Sequence, residues 1–96
     1  MITSLGSMQF DVYCHKAPKT AENFLELCSM KAYDGSPWHR LIPGFMVQGG
    51  QPVKAGQESY FGGPFEDECI DSEKRLGHSQ RGMLSMANKG RDTNSC

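Results

Sequence analysis

Ninety-six residues, 38% hydrophobic and 22% charged with a net charge of −1, suffice for one globular domain at most, with a modest core and only marginal stability alone. No apolar run approaches the roughly 20 residues of a membrane-spanning helix, and Met1–Phe10 has neither a basic nor a long apolar region, so no signal peptide is expected and the cytosol or nucleus is the expected location. Cys14, Cys28, Cys69 and Cys96 are widely spaced without a C-x-x-C pair, which argues against a disulfide framework or zinc knuckle and for buried or half-buried free thiols.

The charge is unevenly placed. Residues 1–73 hold five Lys/Arg against ten Asp/Glu, whereas residues 74–96 hold Lys74, Arg75, Arg81, Lys89 and Arg91 against Asp92 alone. A basic tail invites a nucleic-acid partner. No aromatic residue is interleaved to stack on bases, so a solvated surface is the better reading and no nucleic-acid partner is expected.

In chain order, Ser7–Cys14 alternates, with Met8, Phe10 and Val12 on one face and Gln9, Asp11 and Tyr13 on the other, as in a half-buried strand. Met1–Leu5 is its expected partner, with Gly6-Ser7 as the hairpin turn. Pro18 suits the first position of a helix, where its missing N–H has no partner to lose. Ala21, Phe24, Leu25 and Cys28 then form the predicted apolar stripe. Tyr33–Pro37 reads as a turn, Trp38–Ile42 as a strand, Pro43-Gly44 as a turn and Phe45–Gln48 as a second strand. Gly49–Gly63, with five glycines in fifteen residues, reads as loop. Glu66-Asp67-Glu68 reads as a solvated acidic turn, Met83–Ala87 as a short apolar strand and Asn88–Cys96 as a polar loop. Strands dominate over one clear helix, so the predicted class is mostly β, barrel or sandwich.

The residues able to carry chemistry lie in Trp38–Gly50. Alternation sets His39 opposite to Arg40 and puts Met46 and Gln48 on one face. A guanidinium, a thioether and an amide can then line one surface, with Phe45 at the strand entry. From residue types alone, the same pattern equally describes two core strands with an incidental surface arginine. His15, His39 and His78 match no standard metal spacing and read as structural histidines. The glycines of residues 49–63 are followed by no Gly-Lys-Ser/Thr and do not form a phosphate loop.

The run His39-Arg40-Leu41-Ile42-Pro43-Gly44-Phe45-Met46-Val47-Gln48-Gly49-Gly50 closely resembles the signature of the cyclophilins. Ala17–Phe24 resembles that family's first helix, Phe65–Glu68 its acidic segment and Gly82–Asn88 the strand forming one wall of its substrate groove. The resemblance implies a closed, eight-stranded antiparallel β-barrel capped by two helices. It implies a peptidyl-prolyl cis/trans isomerase that needs no cofactor and no metal. By matching positions, Arg40 is the expected catalytic arginine, Phe45 and Met46 belong to the proline pocket, Gln48 orients the substrate, and Ala87 and Asn88 supply groove backbone. Implied partners are proline-containing peptides or unfolded proteins and a cyclosporin-type ligand. The compact loop between Gln51 and Gly63 resembles that of cyclophilins found with nuclear splicing complexes, so a spliceosomal or other multiprotein assembly is a further expected partner.

The resemblance spans residues 1–96 as a single domain but stops inside the loop after Asn88. The family continues with a Gln-Phe-Phe strand, a tryptophan segment and a histidine, so the expected barrel is incomplete at its C-terminal side and the chain alone is expected to fold poorly or aggregate. Trp38 stands where the family usually has Phe, and Lys89 and Arg91-Asp92 make the otherwise matching Thr93-Asn94-Ser95 loop more charged. The alternative to an enzyme is a non-catalytic cyclophilin-like binding or scaffold module.

Overall fold

Two short hairpins and one helix organise the described residues. The computed structural model describes residues 1–52, 56, 58–68 and 76–96. Cys69, Lys74, Arg75 and parts of the glycine-rich loop lie outside the described residues.

The first hairpin pairs β1 (Ile2–Thr3) with β2 (Gly6–Ser7), antiparallel, in the register Ile2↔Ser7 and Thr3↔Gly6. Met1 and Met8 extend the ladder, the Met8 amide donating to the Met1 carbonyl and the Met1 ammonium to the Met8 carbonyl, both at 2.9 Å. The turn is therefore Ser4-Leu5, not Gly6-Ser7 as expected. Thr3 explains the shift: its hydroxyl donates to the Gly6 carbonyl at 2.8 Å and accepts from the Leu5 amide at 3.2 Å. A threonine that closes a turn with its own side chain competes with the glycine cue. The predicted strand over Ser7–Cys14 is likewise not continuous. Its alternation survives in burial over Gln9–Tyr13, with Phe10 and Val12 half-buried and Gln9, Asp11 and Tyr13 exposed, but Met8, expected on the inner face, is exposed.

Helix α1 runs Pro18–Ser29, with Pro18 in its first turn as the sequence predicts. Its buried residues are Ala21, Asn23 and Leu27, whereas Leu25 and Cys28 are exposed and Phe24 is half-buried. The inner face is thus rotated from the predicted apolar stripe, because a polar residue anchors it. The Asn23 amide nitrogen donates to the Ser95 carbonyl at 2.6 Å, and its oxygen accepts from the Tyr60 amide at 2.8 Å. The rotation leaves Cys28 exposed; Cys14 is exposed too, and among the described cysteines only Cys96 is half-buried, which corrects the expectation of buried or half-buried thiols. The helix ends in a Schellman arrangement, with Lys31 left-handed at φ 57° and the Ala32 amide reaching back to the Leu27 carbonyl at 2.9 Å. Leu27 and Ala32 are both buried there.

No side chain of its own caps the N-terminus of α1. The acidic segment does so from far along the chain, which corrects its reading as a solvated turn. The Glu68 carboxylate accepts from the Lys19 amide at 2.8 Å, the Thr20 amide at 2.6 Å and the Thr20 hydroxyl at 2.7 Å. A carboxylate at this end satisfies orphan amides and opposes the helix dipole. Lys19, a cation at the wrong end of the dipole, is paired with Glu66 at 2.8 Å and lies 5.1 Å above the Phe61 ring. That ammonium holds the Glu66 carboxyl below its usual range. Glu68→Ala removes all three capping bonds and is expected to destabilise the protein by about 2 kcal/mol, read as a lower urea midpoint. An unchanged midpoint would contradict the capping role.

The second hairpin pairs β3 (Arg40–Ile42) with β4 (Met46–Gln48). Both strands are shorter than expected. Phe45 belongs to the turn, its amide donating to the Ile42 carbonyl at 3.0 Å. Pro43 and Gly44 build that turn, Gly44 supplying the φ of 76° that its position requires.

Met83–Ala87, predicted as a strand, forms none, and no backbone hydrogen bond to another described residue holds it. Phe65 and Asn94 form an isolated antiparallel bridge. Among the described residues the buried apolar core is small: Ala21, Leu27, Ala32 and Phe65. Beside it lies an open trough of about 950 Å³, lined by apolar groups that include Phe10, Val12, Phe24, Val47 and Leu84.

Candidate active site

The β3–β4 register decides which side chains meet. Arg40 pairs with Gln48, Leu41 with Val47 and Ile42 with Met46. Directly paired residues project from the same face of an antiparallel ladder, and neighbours along a strand from opposite faces. Arg40, Gln48, Ile42 and Met46 therefore share one face, and Leu41 and Val47 the other. The pairing brings together three of the sequence-predicted site residues, and Phe45 joins them at the turn.

The two faces meet different surroundings. Val47 lines the apolar trough, whereas Arg40, Phe45 and Met46 do not. Gln48, at the end of the hairpin, also lines it. On the first face Arg40 is exposed and Met46 and Gln48 are half-buried, while Phe45, in the turn, is 79% exposed. Among the described residues no carboxylate pairs with the Arg40 guanidinium. A planar cation with no carboxylate partner among the described residues thus stands opposite an amide, on the face it shares with a thioether, and the turn beyond carries an aromatic ring. That is a surface able to seat a small apolar ring while donating hydrogen bonds to a neighbouring carbonyl or nitrogen.

The hairpin is braced from the trough side. Trp38 packs on Gly49 so closely that a Cβ added there would lie 2.7 Å from Trp38 Cε3. Gly50, with φ 89°, faces Tyr33. The Trp38 ring thus occupies the space that a side chain at position 49 would need, while Gly50 is required by its positive φ. Burial, and the nearby Cys96 and Cys28, push the Tyr33 phenol far above its ordinary pKa.

Ala87 and Asn88 lie on a separate segment. Ala87 shares the trough lining with Gln48 and Gly49, and Asn88 lies beyond it. Asn88 is tied instead to the loop that follows, its amide donating to Asn94 Oδ1 at 3.4 Å. His15, His39 and His78 are exposed, and among the described residues no three His, Cys, Asp or Glu side chains gather as metal ligands.

This geometry belongs with a known sequence pattern. The family model described as cyclophilin type peptidyl-prolyl cis-trans isomerase/CLD matches residues 1–96. The chain belongs to the cyclophilin family. It is 50% identical over 94 residues to the peptidyl-prolyl cis-trans isomerase CYP18-1 of Arabidopsis thaliana, covering 96% of this chain and 57% of that protein. It is 46% identical over 94 residues to the peptidyl-prolyl cis-trans isomerase-like 3 of Homo sapiens, covering 96% of this chain and 56% of the relative. A crystal structure of a cyclophilin type peptidyl-prolyl cis-trans isomerase from Cryptosporidium parvum, in the presence of the dipeptide Ala-Pro, superposes with a TM-score of 0.85 at 40% identity. It matches over 98% of this chain and 60% of that one. The fold of these residues is thus a cyclophilin fold, and the chain spans a little under three-fifths of the length of the curated relatives it matches.

The sequence reading missed Asn23 and Glu68 as organising residues. Asn23 gives no hydropathy signal, being a polar residue on the buried side of a helix. Glu68 had a signal, an acidic cluster in a chain whose helix lacks a cap of its own, but its partners stand 48 and 49 residues away.

Proposed function

We propose that the protein catalyses cis/trans isomerisation of X–Pro peptide bonds in peptides and unfolded proteins, with Arg40 as the catalytic residue. The observation that carries this reading is the register placing Arg40, which pairs with no carboxylate among the described residues, opposite Gln48 on the face shared with Met46. Rotation about an X–Pro bond crosses a barrier of roughly 18–20 kcal/mol because amide resonance is lost. No covalent bond forms or breaks, so the catalyst needs only to bind the twisted amide better than either planar form. Twisting gives the prolyl nitrogen a lone pair. The Arg40 guanidinium donates to that lone pair and anchors the prolyl carbonyl, while Phe45 and Met46 hold the ring and Gln48 orients the preceding carbonyl. Ala87 and Asn88 offer backbone groups to the substrate chain. The relative crystallised with Ala-Pro supports a proline-containing peptide as the substrate class.

In the whole protein this domain closes into an antiparallel barrel. The support is the unpartnered apolar side of the β3–β4 hairpin, where Leu41 is 70% and Val47 51% exposed beside the trough. Further strands of the same chain covering that side remove the exposed edge and complete the core.

The full-length protein, added to an Ala-Pro-containing peptide, is expected to accelerate cis/trans exchange measured by NMR line shape. A cyclosporin-type ligand is expected to compete at the same face. Peptide binding without acceleration would overturn the enzyme reading and leave a binding module.

A further inference from the structure

The segment carrying Ala87 and Asn88 has no ladder to hold it. Among the described residues, no backbone hydrogen bond fixes Met83–Asn88. Its first fixed points lie at its C-terminal end, and both come from Thr93 and Asn94. The Thr93 hydroxyl accepts from the Lys89 amide at 2.9 Å and donates to the Gly90 carbonyl at 2.7 Å, closing the turn that follows Asn88. Asn94 accepts the Asn88 amide at 3.4 Å.

The anchor itself is rigid. Asn94 is only 6% exposed and its amide nitrogen lies 2.7 Å from Asp67 Oδ1, 3.2 Å from the Glu66 carbonyl and 3.3 Å from the Phe65 carbonyl. Its backbone bridges Phe65 in both directions, at 3.0 and 3.2 Å. Asp67 and Asp92 exchange side-chain-to-amide bonds at 2.9 and 3.3 Å, with Asp92 held at φ 56°. The strip 65–67 is in turn continuous with Glu68, the cap of α1. The turn after Asn88 is thus tied through Asn94 to the hydrogen-bonded strip 65–67.

We propose that Thr93 and Asn94 are positioning residues for the reaction: they hold Ala87–Asn88 in place as a substrate-binding wall without touching substrate. This rests on the isomerase reading and adds to it the residues that determine peptide affinity. Thr93 fixes the backbone next to Asn88, and Asn94 fixes both the turn and the Asn88 side chain. Loosening the wall disperses its backbone groups in the free protein, so peptide binding must re-order them. The guanidinium on β3 is untouched, so the bound complex turns over as before.

The test uses the full-length protein and a proline-containing peptide. Thr93→Val keeps shape and removes the hydroxyl. It is expected to raise KM about fivefold, the effect of one lost net hydrogen bond, with kcat within about twofold of the parent. Thr93→Ser restores the hydroxyl and is expected to restore KM. Asn88→Ala, at an exposed position, serves where Asn94→Ala fails to fold, and is expected to raise KM in the same direction. An unchanged KM in Thr93→Val, a fall in kcat instead, or no rescue by serine would overturn the proposal. An inactive parent protein would instead overturn the isomerase reading, so the two failures are distinguishable.

Discussion

Asn23→Leu is expected to destabilise the full-length protein by about 3 kcal/mol, more than most single changes elsewhere in α1. Asn23 is 0% exposed and ties the helix to two distant segments, through the Ser95 carbonyl and the Tyr60 amide. Leucine supplies apolar contact but leaves the part-buried Tyr60 amide and Ser95 carbonyl without their side-chain partner. Each orphan costs about 1–3 kcal/mol, and the added apolar burial recovers only part of it. Asn23→Asp, which keeps the acceptor and loses the donor, is expected to fall between the parent and leucine. Urea unfolding read by circular dichroism measures both. A loss below about 1 kcal/mol for leucine would mean that the helix finds its inner face by apolar packing alone.

That result bears on what a sequence exposes to reading. Pro18, Pro43 and Gly44 were legible because each acts locally: one fits the first turn of a helix, and the other two fit a tight turn. The shared face of Arg40, Met46 and Gln48 was legible because strand alternation has a fixed period and Pro43-Gly44 sets the register. The rolled helix was not, because its inner face is chosen by hydrogen bonds to Tyr60 and Ser95, which no periodicity encodes. The first turn was misplaced by two residues because Thr3 supplies with a hydroxyl what Gly6 offers by conformation. Met83–Ala87 has a strand's composition, yet strand formation needs a partner, and no described residue offers its backbone one. Local rules therefore reached the site face, while the scaffold behind it is set by pairings between residues tens of positions apart.

The pairing of Arg40 with Gln48 makes the chemical prediction sharper than a family assignment alone. If Arg40 is the catalytic residue as proposed, Arg40→Ala is expected to lower kcat at least about a hundredfold while KM changes only a few-fold, because the proposed role of the guanidinium is to act on charge that develops in the twisted amide. A side chain that is exposed and unpaired in the free protein contributes little to folding, so stability is expected to stay within about 0.5 kcal/mol of the parent. Arg40→Lys keeps the charge but loses the planar fork of donors, and is expected to recover only a small part of the rate. Phe45→Ala, by contrast, removes ring contact made with planar and twisted amide alike and is expected to act mainly on KM. Steady-state rates on an Ala-Pro peptide across this series separate the two effects. Equal losses in kcat for Arg40→Ala and Phe45→Ala, or a rise in KM alone for Arg40→Ala, would place the guanidinium among the groups that merely hold the peptide. Rate enhancement would then have to come from the apolar seat.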